Sequence, residues 1–195
     1  MDGRAERGKA TRKRLVATAA DLFARDGYEA TSIDAVLAES GVSRGALYHH
    51  FANKQALFEA VLLHVYAGAV QATIVAAEGA ADGVDALKKG CVAWIKQARD
   101  PSVSRIVLID APSVVGWPRW RQIDEEHSFG LVKAGLRAAA KRGLFPARLI
   151  EPTAHILLAA LNELALLIAT SDHPARAERE ALRALDRLLD RLLSG

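Results

Sequence analysis

Arg44, Tyr48 and His49 are the side chains best placed to do chemistry in this chain, because they follow Ser43 on a short helical pattern whose apolar residues face the other way. The chemistry they offer is recognition of duplex DNA. An arginine can pair in bidentate fashion with guanine O6 and N7, whereas lysine and tyrosine mostly fix register on the phosphate backbone. Gly45 and Ala46 leave room for close approach. Reactive chemistry has less to work with, since the chain has no Gly-x-Ser-x-Gly elbow, no Gly-rich phosphate loop and no His-Glu-x-x-His helix. Its six histidines are scattered. Adjacent His49 and His50 diverge by about a hundred degrees on a helix, so they do not readily share a metal. No catalytic set, no metal site and no cofactor is expected.

The elements that must hold these side chains are legible in the spacing. Thr31 and Ser32 offer oxygens to cap a first short helix, on which Ile33, Val36 and Leu37 fall at i, i+3 and i+4. Gly41 ends it. Ser43 caps the next, where Leu47 and Phe51 lie one turn apart on the buried side. Upstream, Leu15, Ala19, Leu22 and Phe23 repeat with helical spacing, and Gly27 closes that segment. Three helices can share one small core, and the last two form a helix-turn-helix.

The wording of the segment sharpens this. Leu22-Phe-Ala-Arg-Asp-Gly-Tyr-Glu-Ala-Thr-Ser-Ile33, Ser40-Gly-Val-Ser-Arg-Gly-Ala-Leu-Tyr-His-His-Phe51, Asn53-Lys54 and Leu57-Phe58 together resemble the N-terminal domain of the TetR family of bacterial transcriptional regulators. The resemblance runs from Thr11 to Leu57, roughly the first third of the chain. It implies an all-α fold, with a three-helix helix-turn-helix domain over 9–57 and a helical ligand-binding and dimerisation domain over 58–195. It also implies that Thr31 contacts phosphate, that Ser43, Arg44, Gly45 and Ala46 enter the groove, and that Tyr48, His49 and Lys54 touch phosphate or nearby bases. The competing reading of Tyr48 and His49 is a solvated, partly packed aromatic pair.

Composition agrees without deciding. The 195 residues are 51% hydrophobic, enough for a sizeable core, and carry a formal net charge of +3. That charge is uneven: Arg4, Arg7, Lys9, Arg12, Lys13 and Arg14 face only Asp2 and Glu6. The opening segment reads either as an arm beside DNA, supplying counterion release, or as a solvated terminus. Met1 to Arg14 is polar and no apolar core of a signal peptide follows, so a cytoplasmic protein is expected. The apolar runs 60–70 and 156–168 are interrupted and read as too short for a membrane span. The single cysteine, Cys91, reads as packing, with an intersubunit redox bond as the alternative.

Beyond Lys54 the pattern is helical, with helices expected at 53–77, 84–98, 102–110, 120–141, 151–170 and 175–193, and with connectors that include Pro112 to Pro118. The helix from Asn53 joins the two domains. The segment 156–168 is apolar almost all round and must be covered on two sides. Leu182, Leu185, Leu189 and Leu192 recur at heptad-like spacing on the final helix. With Leu157, Leu161 and Leu164 they read either as half of a four-helix dimer interface or as an ordinary intrachain pair. The resemblance favours a homodimer, which would match a pseudo-palindromic double-stranded operator.

The family's middle helices enclose a ligand cavity. Here Tyr66, Trp94, Trp117, Trp120 and Phe129, with Ile106, Ile109 and Leu161, are the candidate walls, and Asp110, His127, Asn162 and Glu163 the polar candidates. Each aromatic is equally at home in a plain core. Asp110 to Asp124 resembles a segment found in a subgroup of these regulators. The expectation is a repressor released from its operator by an unidentified small-molecule inducer; the alternative is a small-molecule carrier with a vestigial DNA-binding domain.

Overall fold

Two serines start the helices that matter most. Ser32 Oγ accepts from Ala35 N at 3.1 Å and Ser43 Oγ from Ala46 N at 3.3 Å, each satisfying an amide that a helix start would otherwise orphan. They open α2 (Ile33–Ser40) and α3 (Arg44–His50). Gly41, at φ +64, ends α2 by donating its amide to Leu37 O. The structure, a computed structural model, describes residues 2–193, with side chains from Ala5 onward. Arg4 and Asp2 of the basic opening therefore lie outside the described side chains, and 194–195 outside the described residues.

α1 (Asp2–Ala30) precedes this pair, and its regular part stops at Gly27, whose φ of +82 no other residue adopts cheaply. The opening arm is thus helical from Asp2. α4 (Lys54–Ala77) begins at the Asn53 cap and α5 (Gly83–Gln97) at the Asp82 cap. A π-helical segment, Ser102–Asp110, runs directly into α6 (Ala111–Val114). After a break at Val115 and Gly116, α7 (Trp117–Asp124), a π-helical segment (Glu125–Phe129) and α8 (Gly130–Lys141) continue end to end. α9 (Ile150–Ala169) and α10 (Pro174–Leu192) complete the chain. No strand occurs among the described residues.

The expected connector from Pro112 to Pro118 is mostly helix. Pro118 stands in the first turn of α7, where a missing N–H costs nothing, whereas Pro112 lies inside the continuous run from Ser102 to Val114, where Val107 O accepts from the Trp120 indole instead of an amide at 112, so neither breaks the chain's course. Consequently the helix expected from Trp120 starts at Trp117.

Leu15, Ala19, Leu22 and Phe23 of α1 are buried against Val36, Leu47 and Phe51, while Ile33 and Leu37 are half-buried. Phe58 of α4 meets Phe23 and Tyr28 edge-on, each at 5.1 Å between centroids. The core then runs on along α4 into the bundle without a gap. α5 and α8 pack unusually close there: a Cβ on Gly135 would stand 2.5 Å from Leu87 Cβ, and one on Gly83 2.5 Å from Ala138 Cβ.

Lys54–Ala77 and Ala147–Ala169 have the length and hydropathy of membrane spans, because helix joins apolar runs that look short in the sequence. One side of each packs in the bundle, with Phe58, Val61, Leu62 and Tyr66 of the first and Leu157, Leu158, Leu161 and Ile168 of the second buried, while Ile74, Val75, Ile156 and Leu167 are exposed.

Candidate nucleic-acid interface and ligand cavity

α3 carries its chemistry on an open face. Ser43, Arg44, Gly45, Tyr48 and His49 are exposed and Ala46 is half-buried, with Leu47 and Phe51 beneath. The ring of His49 lies 5.2 Å from that of His50, so the pair is stacked edge-on rather than convergent. The Arg44 guanidinium is ion-paired with Asp34 of α2, with both side chains more than half exposed. Such a pair is worth ~0–1 kcal/mol, so DNA can displace it cheaply. Beside this face runs the first part of α1, where Arg7, Lys13 and Arg14 are exposed and Arg12 sits 5.3 Å over the Phe51 ring.

Two expected DNA contacts are turned inward. Thr31 is 2% exposed, and its hydroxyl donates to Gly27 O at 2.8 Å. Lys54 Nζ donates to Tyr28 O at 2.7 Å and Thr31 O at 3.0 Å, and stands 4.1 Å over the Tyr28 ring. The end of α1 leaves the Tyr28, Glu29 and Thr31 carbonyls for Lys54 to satisfy, while the Thr31 hydroxyl joins its own amide on Gly27 O. Neither is presented as a free phosphate contact. The spacing from Gly27 to Thr31 held this signal, whereas the reach of Lys54 back across the turn did not show in the sequence.

Asp110 also departs from expectation. It lies at the junction between the helix-turn-helix unit and the bundle, where its Oδ2 accepts from Tyr28 N at 2.8 Å and lies 3.4 Å from Arg105 Nε. The Arg105 guanidinium covers Gly27 so closely that a Cβ there would meet it at 2.2 Å. Two further links cross nearby, Gln55 Nε2 to Val114 O at 2.9 Å and Arg119 Nε to Glu59 Oε1 at 2.8 Å.

Within the bundle, α4, α5, α8 and α9 surround a cavity of about 350 Å³, at the low end of the sizes that hold small ligands. Of the expected walls and polar groups, Trp94, Leu161 and Asn162 line it. Tyr66 stands behind, donating to Asp124 Oδ1 at 2.5 Å and lying 3.1 Å from Ser128 Oγ. Trp120 is buried outside it, with Nε1 donating to Val107 O at 2.8 Å. Trp117 is 61% exposed and stacks on Trp120. His127 Nδ1 is 2.9 Å from Ile123 O, and Phe129 stacks on His155 at 4.4 Å. Ile106 is core, and Ile109 and Glu163 are exposed. None of Trp117, Trp120, Phe129, His127 and Asp110 lines the void: Trp120, Phe129 and Asp110 find partners on other elements, Trp117 stacks on Trp120 of its own helix, and His127 bonds one turn back and lies 5.5 Å from the Tyr66 ring.

The sequence reading missed Asp124 and Ser128, which line the cavity. Asp124 Oδ2 accepts from Asn162 Nδ2 at 2.8 Å and lies 3.4 Å from Arg121 Nη1. Burial raises its carboxyl above the ordinary Asp value, against the opposing pull of Tyr66, Arg121 and Asn162. The signal was available: Asp124 falls four residues after Trp120, on the buried side of an amphipathic helix. Cys91 packs at the cavity wall, and burial pushes its thiol up to about 12.

The expected dimer stripe is largely spent inside the chain. Leu157, Leu161, Leu185 and Leu189 are buried, Leu164, Leu182 and Leu192 half-buried, with α10 packed on α5 and α9. The apolar residues left outward on these two helices are Ile156 at 64%, Leu167 at 53% and Leu188 at 42% exposure.

An open helix-turn-helix face joined through partly buried and exposed polar ties to a helical bundle with a cavity defines a DNA-binding regulator. The chain belongs to the TetR family: residues 15–61 match the model described as bacterial regulatory proteins, tetR family, and residues 84–192 match the tetracyclin repressor-like C-terminal domain. It is similar to the crystal structure of a TetR-family transcriptional regulator from Pectobacterium atrosepticum, at 30% identity over 98% of each chain and a TM-score of 0.85. It is also similar to the transposon Tn10 TetC protein of Escherichia coli, 30% identical over 129 residues that cover 66% of this chain and 65% of that one. The helix-turn-helix transcriptional regulator UidR of Escherichia coli K12 is 35% identical over 63 residues, 32% of each chain. The matched part is thus less than two thirds of these curated relatives. The family is one of transcriptional regulators, and this chain has its all-helical fold and its N-terminal helix-turn-helix.

Proposed function

We propose that the protein is a homodimeric repressor that binds a pseudo-palindromic operator through α3 and leaves it when an unidentified small molecule enters the cavity. One observation supports the coupling most directly: Asp110, a bundle residue, accepts the Tyr28 amide of the helix-turn-helix unit at 2.8 Å. The route from the void to this tie is short. Asp124 lines the cavity, Trp120 lies one turn before it on α7, and the Trp120 indole donates to Val107 O in the π-helical segment that ends at Asp110. A ligand that pushes on Asp124 has a packed path to Tyr28. Release follows only if the ligand prefers the state that does not bind DNA.

Dimerisation is assigned to the outward faces of α9 and α10. Ile156 and Leu167 recur at helical spacing, so their apolar area can be covered by a twofold copy. The test selects bound duplexes from a random pool with the native chain and with Ile156→Glu/Leu167→Glu. The native chain is expected to enrich an inverted repeat as a dimer; the variant is expected to be monomeric and to lose at least about a hundredfold in operator affinity, as two half-sites become one. A native chain that gives only salt-sensitive, sequence-independent retardation would contradict the repressor reading. A variant that remains dimeric would contradict the interface.

A further inference from the structure

The chemistry of the cavity wall narrows what can occupy it, given that the cavity is the ligand site proposed above. No Lys, Arg or His is among the described residues that line it, while Asp124 and Glu78 are. A buried anion would find no cation among these residues to offset its desolvation. A buried cation fares little better. The Asp124 carboxylate already accepts from Tyr66 and Asn162 and stands beside Arg121, and burial raises its carboxyl toward the neutral form. What it could offer an ammonium group is taken, and Glu78 is exposed to solvent, where an ion pair contributes little.

One donor is not taken. Among the described residues, Trp94 Nε1 is the buried side-chain nitrogen or oxygen without a hydrogen-bond partner, and Trp94, 7% exposed, lines this cavity. An indole N–H is a donor only, so its partner must bring an acceptor. The Trp94 ring lies 5.6 Å from that of Tyr66, whose hydroxyl holds Asp124 and approaches Ser128. The polar groups of the cavity therefore gather around Tyr66. Away from them, Val70, Ile74, Leu87, Leu131 and Leu158 make the wall apolar, and Ile74 and Leu131 are partly exposed to solvent.

We infer that the cavity takes a neutral, mainly apolar molecule bearing a carbonyl or comparable acceptor oxygen, and that Trp94, whose Nε1 is covered by protein atoms in this structure, turns its indole N–H to that oxygen. Its oxygen lies toward the Tyr66 end and its apolar body runs along Val70, Leu87 and Leu158. Carboxylic acids and amines of the same length are rejected.

The test measures binding by calorimetry at neutral pH with four probes of similar shape: 2-octanone, the olefin 2-methyl-1-octene, octanoate and octylamine. The ketone is expected to bind about three- to tenfold tighter than the olefin, which lacks only the acceptor. Octanoate and octylamine are expected to bind at least about tenfold more weakly than the ketone. Trp94→Phe should abolish the preference for ketone over olefin. Because the head-group comparison is made on the native chain, it stands even if that variant fails to fold. Equal binding of ketone and olefin, tighter binding of octanoate or octylamine, or no binding of any probe would overturn the inference. DNA release is measured separately: 2-octanone that binds with the expected preference but leaves the DNA complex intact supports the ligand class and counts against ligand-controlled release.

Discussion

Arg44 is the residue on which sequence-specific binding should rest, and its partner in the free protein is Asp34. An Arg44→Ala variant is expected to lose about 1–3 kcal/mol of operator binding and to relax base preference at one position. Asp34→Asn should do the reverse on random DNA, raising affinity by removing an anion beside the phosphates. Binding of each variant to operator and random duplexes checks both, and equal losses on the two DNAs for Arg44→Ala would remove its base-reading role. Asp124 gives a pH signature instead. Burial raises its carboxyl above the ordinary value of 3.8, so the fold favours the protonated form. Its contribution to stability is complete below about that pH and is lost as pH rises through the raised folded value. Urea unfolding should therefore show the stability of the native chain, relative to Asp124→Asn, falling as pH rises from 4 toward neutrality. A flat difference over that range would contradict the assignment.

At the scale of elements, the helix-turn-helix was legible because its determinants are local. Ser32, Gly41, Ser43 and Asn53 act within three or four residues of themselves, and each behaves as a cap or stop where spacing put it. Lys54 and Asp110 were not legible, since their partners lie 26 and 82 residues away in sequence. Local pattern places a lysine at the start of a helix but does not reveal which carbonyls it will find. The correction changes an expected phenotype: Lys54→Met should destabilise the fold by about 1–2 kcal/mol, through three carbonyls losing a charged donor. It should leave the salt slope of DNA binding unchanged. A lower slope with unchanged thermal stability would restore Lys54 to the phosphate-binding set. The prolines misled for a related reason, since breaker signals are read by residue type, whereas Pro118 occupies a first turn that tolerates it and, near Pro112, Val107 O is served by Trp120 from a distant part of the chain.

The whole molecule is best described as two recognition surfaces sharing one core. α4 is packed in both, with Phe58 among the aromatic rings of the helix-turn-helix unit and Tyr66 at the polar end of the cavity. The cavity itself could not be read from aromatic content. Its shape depends on Gly83 and Gly135 letting α5 and α8 approach, and on which side of α7 Asp124 emerges. Trp117, Trp120 and Phe129 stand out by type, yet Trp120 and Phe129 pack on other helices and Trp117 is largely exposed on Trp120. The central claim is that filling this cavity is felt at the DNA face through Asp110. Gly90 lines the cavity and has open space where a Cβ would stand, so Gly90→Phe mimics an occupant without a ligand. The decisive measurement is operator affinity at fixed salt for the native chain, Gly90→Phe, Asp110→Ala and the double variant. The expected result is at least about a fivefold loss for Gly90→Phe in the native background and little loss when Asp110 is already alanine; an equal loss in both backgrounds, or none in either, would contradict coupling through this tie.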